Sequence, residues 1–305
     1  MMTSRLLRTT AFLKSHQNPD GGWGYAPRRR SLVEPTAFAV LALQAGNETA
    51  AADRGLGFLR TCLKPSGAIG LDPRDTDGNW MAYAALLAFH ALGASEEERR
   101  VKVWILAFED ASDRFSKTDL AEIASRFRYD ASIPGWAWTP RTTAWIEPTA
   151  LFILALRSVG VPAADKRIRS GTDLILDRRV PSGGWNFGNP FSKGYELEAT
   201  AMSTSLALAA LGAAGVAAKR PEVAAGFRYL ERVLDAGLST ASLAWMLLAS
   251  RRYPGIARRA EGAASLLASL QAGDGGFRDN IFETALASLV LEDAAILKPA
   301  AGRIP

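Results

Sequence analysis

Two kinds of apolar segment alternate along the chain. Stretches such as Ala37-Phe38-Ala39-Val40-Leu41-Ala42-Leu43 are hydrophobic on nearly every side and predict helices that need cover all round. Stretches such as Arg54 to Leu63 and Arg258 to Gln271 carry one apolar stripe and a charged back, the pattern of a helix at the surface. Glycine turns separate the two kinds and let the chain reverse tightly. About six apolar helices are predicted, each preceded by an amphipathic one. An inner ring of the first kind enclosed by an outer ring of the second satisfies both, so the pattern predicts an all-α barrel. The short connections fall at one end, which brings the inner-helix N-termini to one mouth.

The alternation is a repeat. A first helix ends in Phe12-Leu13-Lys14-Ser15-His16-Gln17; Asn18-Pro19-Asp20-Gly21-Gly22-Trp23 turns; Glu34-Pro35-Thr36-Ala37 opens an apolar helix to Ala45. Trp23 and Glu34 stand 11 residues apart, and so do Trp136 and Glu147 of Glu147-Pro148-Thr149-Ala150, which argues for duplication. The second unit has Phe58-Leu59, then Gly67 and Ile69, then a helix from Trp80 to Leu92. Ser95 to Tyr129 is divergent and charged and predicts two amphipathic outer helices. Later units centre on Gly184-Trp185, on Tyr229-Leu230 with the helix Thr240 to Ser250, and on Leu267 to Gln271 with Gly275-Gly276-Phe277 and Glu283-Thr284-Ala285. Ala199 to Ala218 is uncharged for a membrane-span length, but its small residues and its Gly212 and Gly215 predict an interior helix followed by a turn.

Composition narrows the classes. At 305 residues and 48% hydrophobic, the chain can bury a large core, and a single domain over 1–305 is expected. The net charge of +5 comes from scattered pairs such as Arg99-Arg100, Arg178-Arg179, Arg251-Arg252 and Arg258-Arg259, with Arg28-Arg29-Arg30 the one run. Without interleaved aromatic platforms this describes solvated outer helices and excludes a nucleic-acid partner; contact with an anionic membrane surface is the next reading. A single cysteine, Cys62, beside Phe58, Leu59 and Leu63, reads as a packed thiol in a reducing compartment. The start Met1-Met2-Thr3-Ser4-Arg5-Leu6 lacks a signal-peptide pattern, so a cytoplasmic protein, peripheral at most to the inner membrane face, is expected.

Phe12-Leu13, Gln17 and Gly21-Gly22-Trp23 resemble the "QW" repeat of squalene–hopene cyclases and their relatives, most closely in the first, third-to-last and last units. The resemblance covers most of the chain and implies an (α/α)6 toroid, a fold shared by triterpene cyclases and the β subunits of protein prenyltransferases. It implies an isoprenoid as the ligand. In the cyclases one Gly-Gly-Trp turn is followed by Asp-x-Asp-Asp-Thr-Ala, whose middle Asp protonates the substrate alkene. Gly183-Gly184-Trp185 followed by Glu196-Leu197-Glu198-Ala199-Thr200-Ala201 is similar, with Glu196 on the first acidic position, Glu198 on the middle one and Ala199 in place of the third.

Glu198 is therefore the expected acid, helped by Glu196 or by water. Burial among Ala and aromatic side chains would hold its proton, while a helix N-terminus would favour the anion. Glu34, Glu147 and Glu283 precede similar helix starts, and four copies cannot all be the acid, so most are expected as helix-entry caps with Pro35 and Pro148 at a tolerated position. Asp75-Thr76-Asp77-Gly78 offers a competing acid pair, Asp75 and Asp77, or ligands for a metal diphosphate; it is also ordinary turn chemistry. Trp80, Tyr83, Trp145, Trp245 and Phe282 lie on or beside inner helices and are the expected cation-stabilising contacts; Glu34 and Glu147 join them as substrate-facing residues. No cofactor is expected. Cys62, His16 and His90 do not make a zinc site; His90 reads as a core histidine and His16 as a surface or repeat-packing one. The expectation is a terpene cyclase that starts cyclisation of a polyisoprenoid by protonation. The alternatives are a non-catalytic carrier of a hydrophobic ligand and, less in keeping with the apolar inner helices, a carbohydrate-active enzyme with paired carboxylates.

Overall fold

A computed structural model describes residues 3–254, 260–295 and 298. In chain order the helices are α1 (Ser4–Ser15), α2 (Val33–Ala45), α3 (Thr49–Cys62), α4 (Ala82–Ala91), α5 (Ser95–Leu106), α6 (Lys117–Phe127) and α7 (Ile146–Ser158). There follow α8 (Lys166–Asp177), α9 (Ala201–Ala213), α10 (Pro221–Val233), α11 (Thr240–Arg252), α12 (Ala260–Ser269) and α13 (Ile281–Leu291). Among the described residues the only sheet is an antiparallel hairpin of β1 (Phe191–Ser192) and β2 (Tyr195–Glu196). The fold is all-α, and it packs as two compact units, one centred on Met1–Ala107 and Ala264–Lys298, the other on Phe108–Ala263.

In the first unit the apolar helices do what their all-round hydrophobicity demands. Helix α2 is buried from Val33 to Leu43 and lies between α13 and α4, while α1, α3 and α5 cover the set from outside. The second unit repeats the plan: α9 lies between α7 and α11, with α8 and α10 outside. Helix α6 buries no side chain and packs beside β1.

Element boundaries follow the expected pattern with a few shifts. The divergent stretch holds two amphipathic helices, α5 and α6. The uncharged stretch from Ala199 is an interior helix that stops at Ala213, with Gly215 in a left-handed turn (φ 82°). Arg258 and Arg259 lie outside the described residues, and α12 is described from Ala260. Cys62 is buried, and burial pushes its thiol up to about 12. His16 packs its ring on Phe12 (centroids 4.4 Å apart). His90 is not a core residue: it is part-exposed and meets Glu98 at 3.0 Å on the outer helix α5, because the last turn of α4 reaches the surface.

The turns are built to one design. Gly21 (φ 86°) and Gly275 (φ 96°) hold left-handed backbone, and a Cβ on either would strike the carbonyl oxygen of an outer-helix arginine, Arg54 at 2.5 Å or Arg8 at 2.4 Å. Only glycine permits that approach. The repeat glutamines bridge the same junctions: Gln17 Nε2 donates to Gly21 O and Ala51 O, and Gln271 Nε2 to Gly275 O and Thr9 Oγ1. The final repeat thus seats on α1 as the first seats on α3.

Each turn tryptophan is then tied to its inner helix. The amides of Trp23, Trp136 and Trp185 donate to Thr36, Thr149 and Thr204 Oγ1 at 2.8, 3.0 and 2.9 Å, and each hydroxyl donates back to the tryptophan carbonyl. Phe277 pairs with Thr284 in the same way at 2.8 Å through its amide. These threonines all lie four residues past an N-cap: Leu32, Trp145, Thr200 and Asn280. The N-cap amide of each donates to the same aromatic residue's carbonyl.

That shared geometry fixes the register of the repeats. Thr36 corresponds to Thr204, not Thr200, and Glu34 corresponds to Met202. From Trp23 to Leu32 and from Trp136 to Trp145 is 9 residues, whereas from Trp185 to Thr200 is 15; the extra residues form the β1–β2 hairpin. Because Thr204 is wholly buried and leaves the Trp185 amide without an acceptor when lost, Thr204→Val should destabilise the protein by about 1–3 kcal/mol. Urea denaturation should give losses of the same order for Thr36→Val and Thr149→Val; an unaffected Thr204→Val would contradict this register.

Candidate active site

Glu34 is the second residue of α2, and it is buried. Its two carboxyl oxygens each take a phenol donor: Tyr83 Oη donates to Oε1 at 2.5 Å, and Tyr25 Oη donates to Oε2. Tyr83 comes from the first turn of α4. Tyr25 comes from the turn just past Trp23, where its carbonyl also accepts the Ile281 amide at the head of α13. Three inner helices and one turn therefore meet at this carboxyl. Aromatic rings close around it: Phe282 packs edge-on to Phe38 (4.9 Å) and to Tyr25 (6.3 Å), and Trp80 stacks on Tyr83 (5.9 Å, 15°).

The electrostatics follow from this enclosure. Burial pushes the Glu34 carboxyl up to about 7, outweighing the two phenol hydrogen bonds, which pull it down. Burial and the neighbouring Glu34 together push both phenols up, so Tyr25 and Tyr83 stay protonated donors. The site can hold a neutral carboxylic acid near neutral pH and, once the proton has left, receive the anion with two hydroxyls and a helix N-terminus. That is the pair of properties a strong general acid needs.

The second unit carries a related group. Glu147 holds the same place on α7, is part-buried, and accepts from Ser203 Oγ at 2.8 Å, which in turn accepts from Thr200 Oγ1 at 2.9 Å. Burial pushes its carboxyl up and the Ser203 bond opposes that. Trp145 precedes it, part-buried, 6.0 Å from the exposed Phe187. Trp245 is buried within α11. Glu283 is the third residue of α13, its amide capped by Asn280, and Phe282 stands where α2 has Glu34.

The remaining expected acids lie at or near the surface. Glu196 lies in β2, exposed, accepting from the Ser182 amide at 2.8 Å, and Glu198 is exposed in the irregular segment between the hairpin and α9. The six extra residues after Trp185 carry both carboxylates outward ahead of the helix. The burial expected for Glu198 is therefore absent. Asp75 and Asp77 form a turn: Asp75 accepts from the Leu71 and Asp77 amides and from Asn79 Nδ2, and Asp77 is exposed. Among the described residues no cluster of His, Cys, Asp and Glu could hold a metal ion. No described helix is long and apolar enough to cross a membrane.

Tyr25 went unmarked in the sequence. A signal exists, because an aromatic residue stands two past each of three turn tryptophans: Tyr25, Trp138 and Phe187. Glu34 also keeps the offset that the cyclase acid motif has between its middle acid and its threonine, since Glu34 precedes Thr36 by 2 residues as the middle Asp precedes Thr in Asp-x-Asp-Asp-Thr-Ala.

No family model matches the chain. No curated protein matches it by sequence either. Solved structures do match its fold. The type II terpene cyclase MstE from Scytonema superposes with a TM-score of 0.63 at 18% identity over 96% of this chain and 97% of that one, and a variant of it is known in complex with geranylgeranyl dihydroxybenzoate, its substrate. A protein from Actinoplanes gives 0.64 at 20% identity over 96% and 99%. An inactive variant of the α-1,6-mannanase GH76A of Salegentibacter, in complex with α-1,6-mannotriose, gives 0.63 at 11% over 96% and 99%. The fold class is accordingly the all-α α/α toroid. That class serves both terpene cyclisation and glycoside hydrolysis, so the chemistry must be argued from the site.

Glu34 binds its proton more tightly folded than unfolded, since an unfolded Glu titrates near ~4.3. The stabilisation this provides is complete below that value and is lost as pH rises toward about 7. Raising pH from 5 to 8 should therefore destabilise the wild type relative to Glu34→Gln by on the order of 2–3 kcal/mol in urea titrations. Parallel pH profiles for the two proteins would show that the carboxyl is not a buried acid.

Proposed function

We propose that the protein is a terpene cyclase of the protonation-initiated kind and that Glu34 is its acid. The observation that carries this reading is one buried carboxyl between two phenol donors, ringed by Phe38, Trp80, Tyr83 and Phe282. Glu34 adds its proton to the terminal double bond of a polyisoprenoid. The π electrons form the new C–H bond and leave a tertiary cation, while the O–H electron pair stays on Glu34 as carboxylate. Tyr25 and Tyr83 stabilise that carboxylate by hydrogen bonds to both its oxygens. Aromatic faces stabilise the cation, internal double bonds attack in sequence to form rings, and loss of a proton ends the series. The likeness to MstE supports the substrate class through fold alone. A glycosidase reading has less support, because the groups bonded to Glu34 are phenols and not a second carboxylate.

Purified protein incubated with geranylgeranyl diphosphate, squalene, a prenylated quinone and geranylgeranyl dihydroxybenzoate, followed by product analysis, tests the reading. Glu34→Gln should lower kcat by about 100-fold or more, Tyr83→Phe and Tyr25→Phe by roughly tenfold each, and Glu198→Gln little. Turnover should fall as pH rises through about 7, where Glu34 loses its proton. Products formed equally well by Glu34→Gln would exclude it as the acid, and tight binding without any product would make the protein a carrier.

A further inference from the structure

Trp245 stands on α11 among the buried Leu243, Ala244, Met246 and Leu247, and is itself 2% exposed. Its indole Nε1–H can only donate, and it is buried without a hydrogen-bond partner. The turn tryptophans show the ordinary outcome: Trp23 Nε1 donates to Leu13 O at 2.8 Å and Trp185 Nε1 to Ile175 O at 2.6 Å. A second orphan lies on the helix packed beside it, where Ser205 Oγ on α9 is buried and unpartnered. Trp245 is six residues past the N-cap Ser239 and Ser205 five past Thr200, so both lie roughly 7–9 Å inside their helix starts at ~1.5 Å per residue. Buried polar atoms are nearly always satisfied, and a pair that is not, on facing interior helices, is a place for an acceptor to arrive.

We propose that Trp245 Nε1–H and Ser205 Oγ form a polar subsite within the second unit that binds a neutral oxygen of an isoprenoid, a hydroxyl or a carbonyl. The inference rests on the isoprenoid reading above. Both donors are uncharged, and α9 and the buried length of α11 from Thr240 to Ser250 carry no charged side chain, which suits a neutral oxygen and not a diphosphate. A hydrocarbon would leave the indole unpaired. Discrimination between an oxygenated prenyl chain and its hydrocarbon analogue is therefore built into the second unit's inner helices, because a site made to donate hydrogen bonds penalises a ligand that cannot accept them.

Protein carrying ¹⁵N-tryptophan gives eight indole signals, and Trp245→Phe assigns that of Trp245 by its disappearance. Titration with geranylgeraniol should move this signal downfield, and titration with phytane, a hydrocarbon of the same carbon count, should not. Trp245→Phe should weaken geranylgeraniol binding about five- to tenfold and leave phytane unchanged, with Ser205→Ala acting in the same direction. If both compounds bind the wild type but the signal moves with neither, or if Trp245→Phe weakens both equally, the subsite is overturned while the isoprenoid reading stands. If the wild type binds neither compound, both are overturned.

Discussion

The bond pair between a turn tryptophan and the threonine one helical turn inside the next helix is the constraint on which this structure depends. An inner helix sheathed in hydrocarbon has no water to satisfy its first amides or the turn that feeds it. The threonine hydroxyl answers both needs, accepting from the tryptophan amide and donating to its carbonyl, while the N-cap amide takes the same carbonyl. The indole is thereby fixed against the outer helix, where Gly55, Gly171 and Gly226 leave room for the rings of Trp23, Trp136 and Trp185. In the three repeats that carry a turn tryptophan, the sheath and the lining are joined at this point.

Where that entry geometry is held constant, on α2, α7, α9 and α13, the second residue of the inner helix becomes a free variable. In the first unit it is Phe282 on α13, Glu34 on α2 and Tyr83 on α4, and these three side chains make one cluster. In the second unit the same place is held by Glu147, Met202 and Ala241. A scaffold of this kind changes its chemistry at a single position per repeat. It carries an acid in one repeat and an apolar side chain in the next, as at Glu34 and Phe282.

The frame was readable because its signals are local. Helices apolar on every side, the glycine pairs and the matched spacing from Trp23 to Glu34 and Trp136 to Glu147 all lie within one repeat. The candidate acid was harder. Glu198 precedes a Thr-Ala pair as Glu34 does, but the residues added after Trp185 fold into a hairpin and shift Thr200 to the cap, so the likeness is one helical turn out of step. Glu34 was visible as one of several entrance carboxylates. Its distinction lies in Tyr83, 49 positions away, and in Tyr25, neither of which spacing within a repeat could assign to it. The unpaired indole of Trp245 belongs to the same class of fact, since absence of an acceptor is a property of packing.

Tyr25 and Phe282 touch across a separation of more than 250 residues, and Gln271 bonds to Arg5 and Thr9. Assembly order follows from this. During synthesis α1, α2 and α4 emerge long before α13, so Glu34 must wait with its apolar neighbours uncovered until Phe282 arrives. Contacts of such range make for slow folding. The Glu34 carboxyl is fully enclosed only once the last repeat has seated.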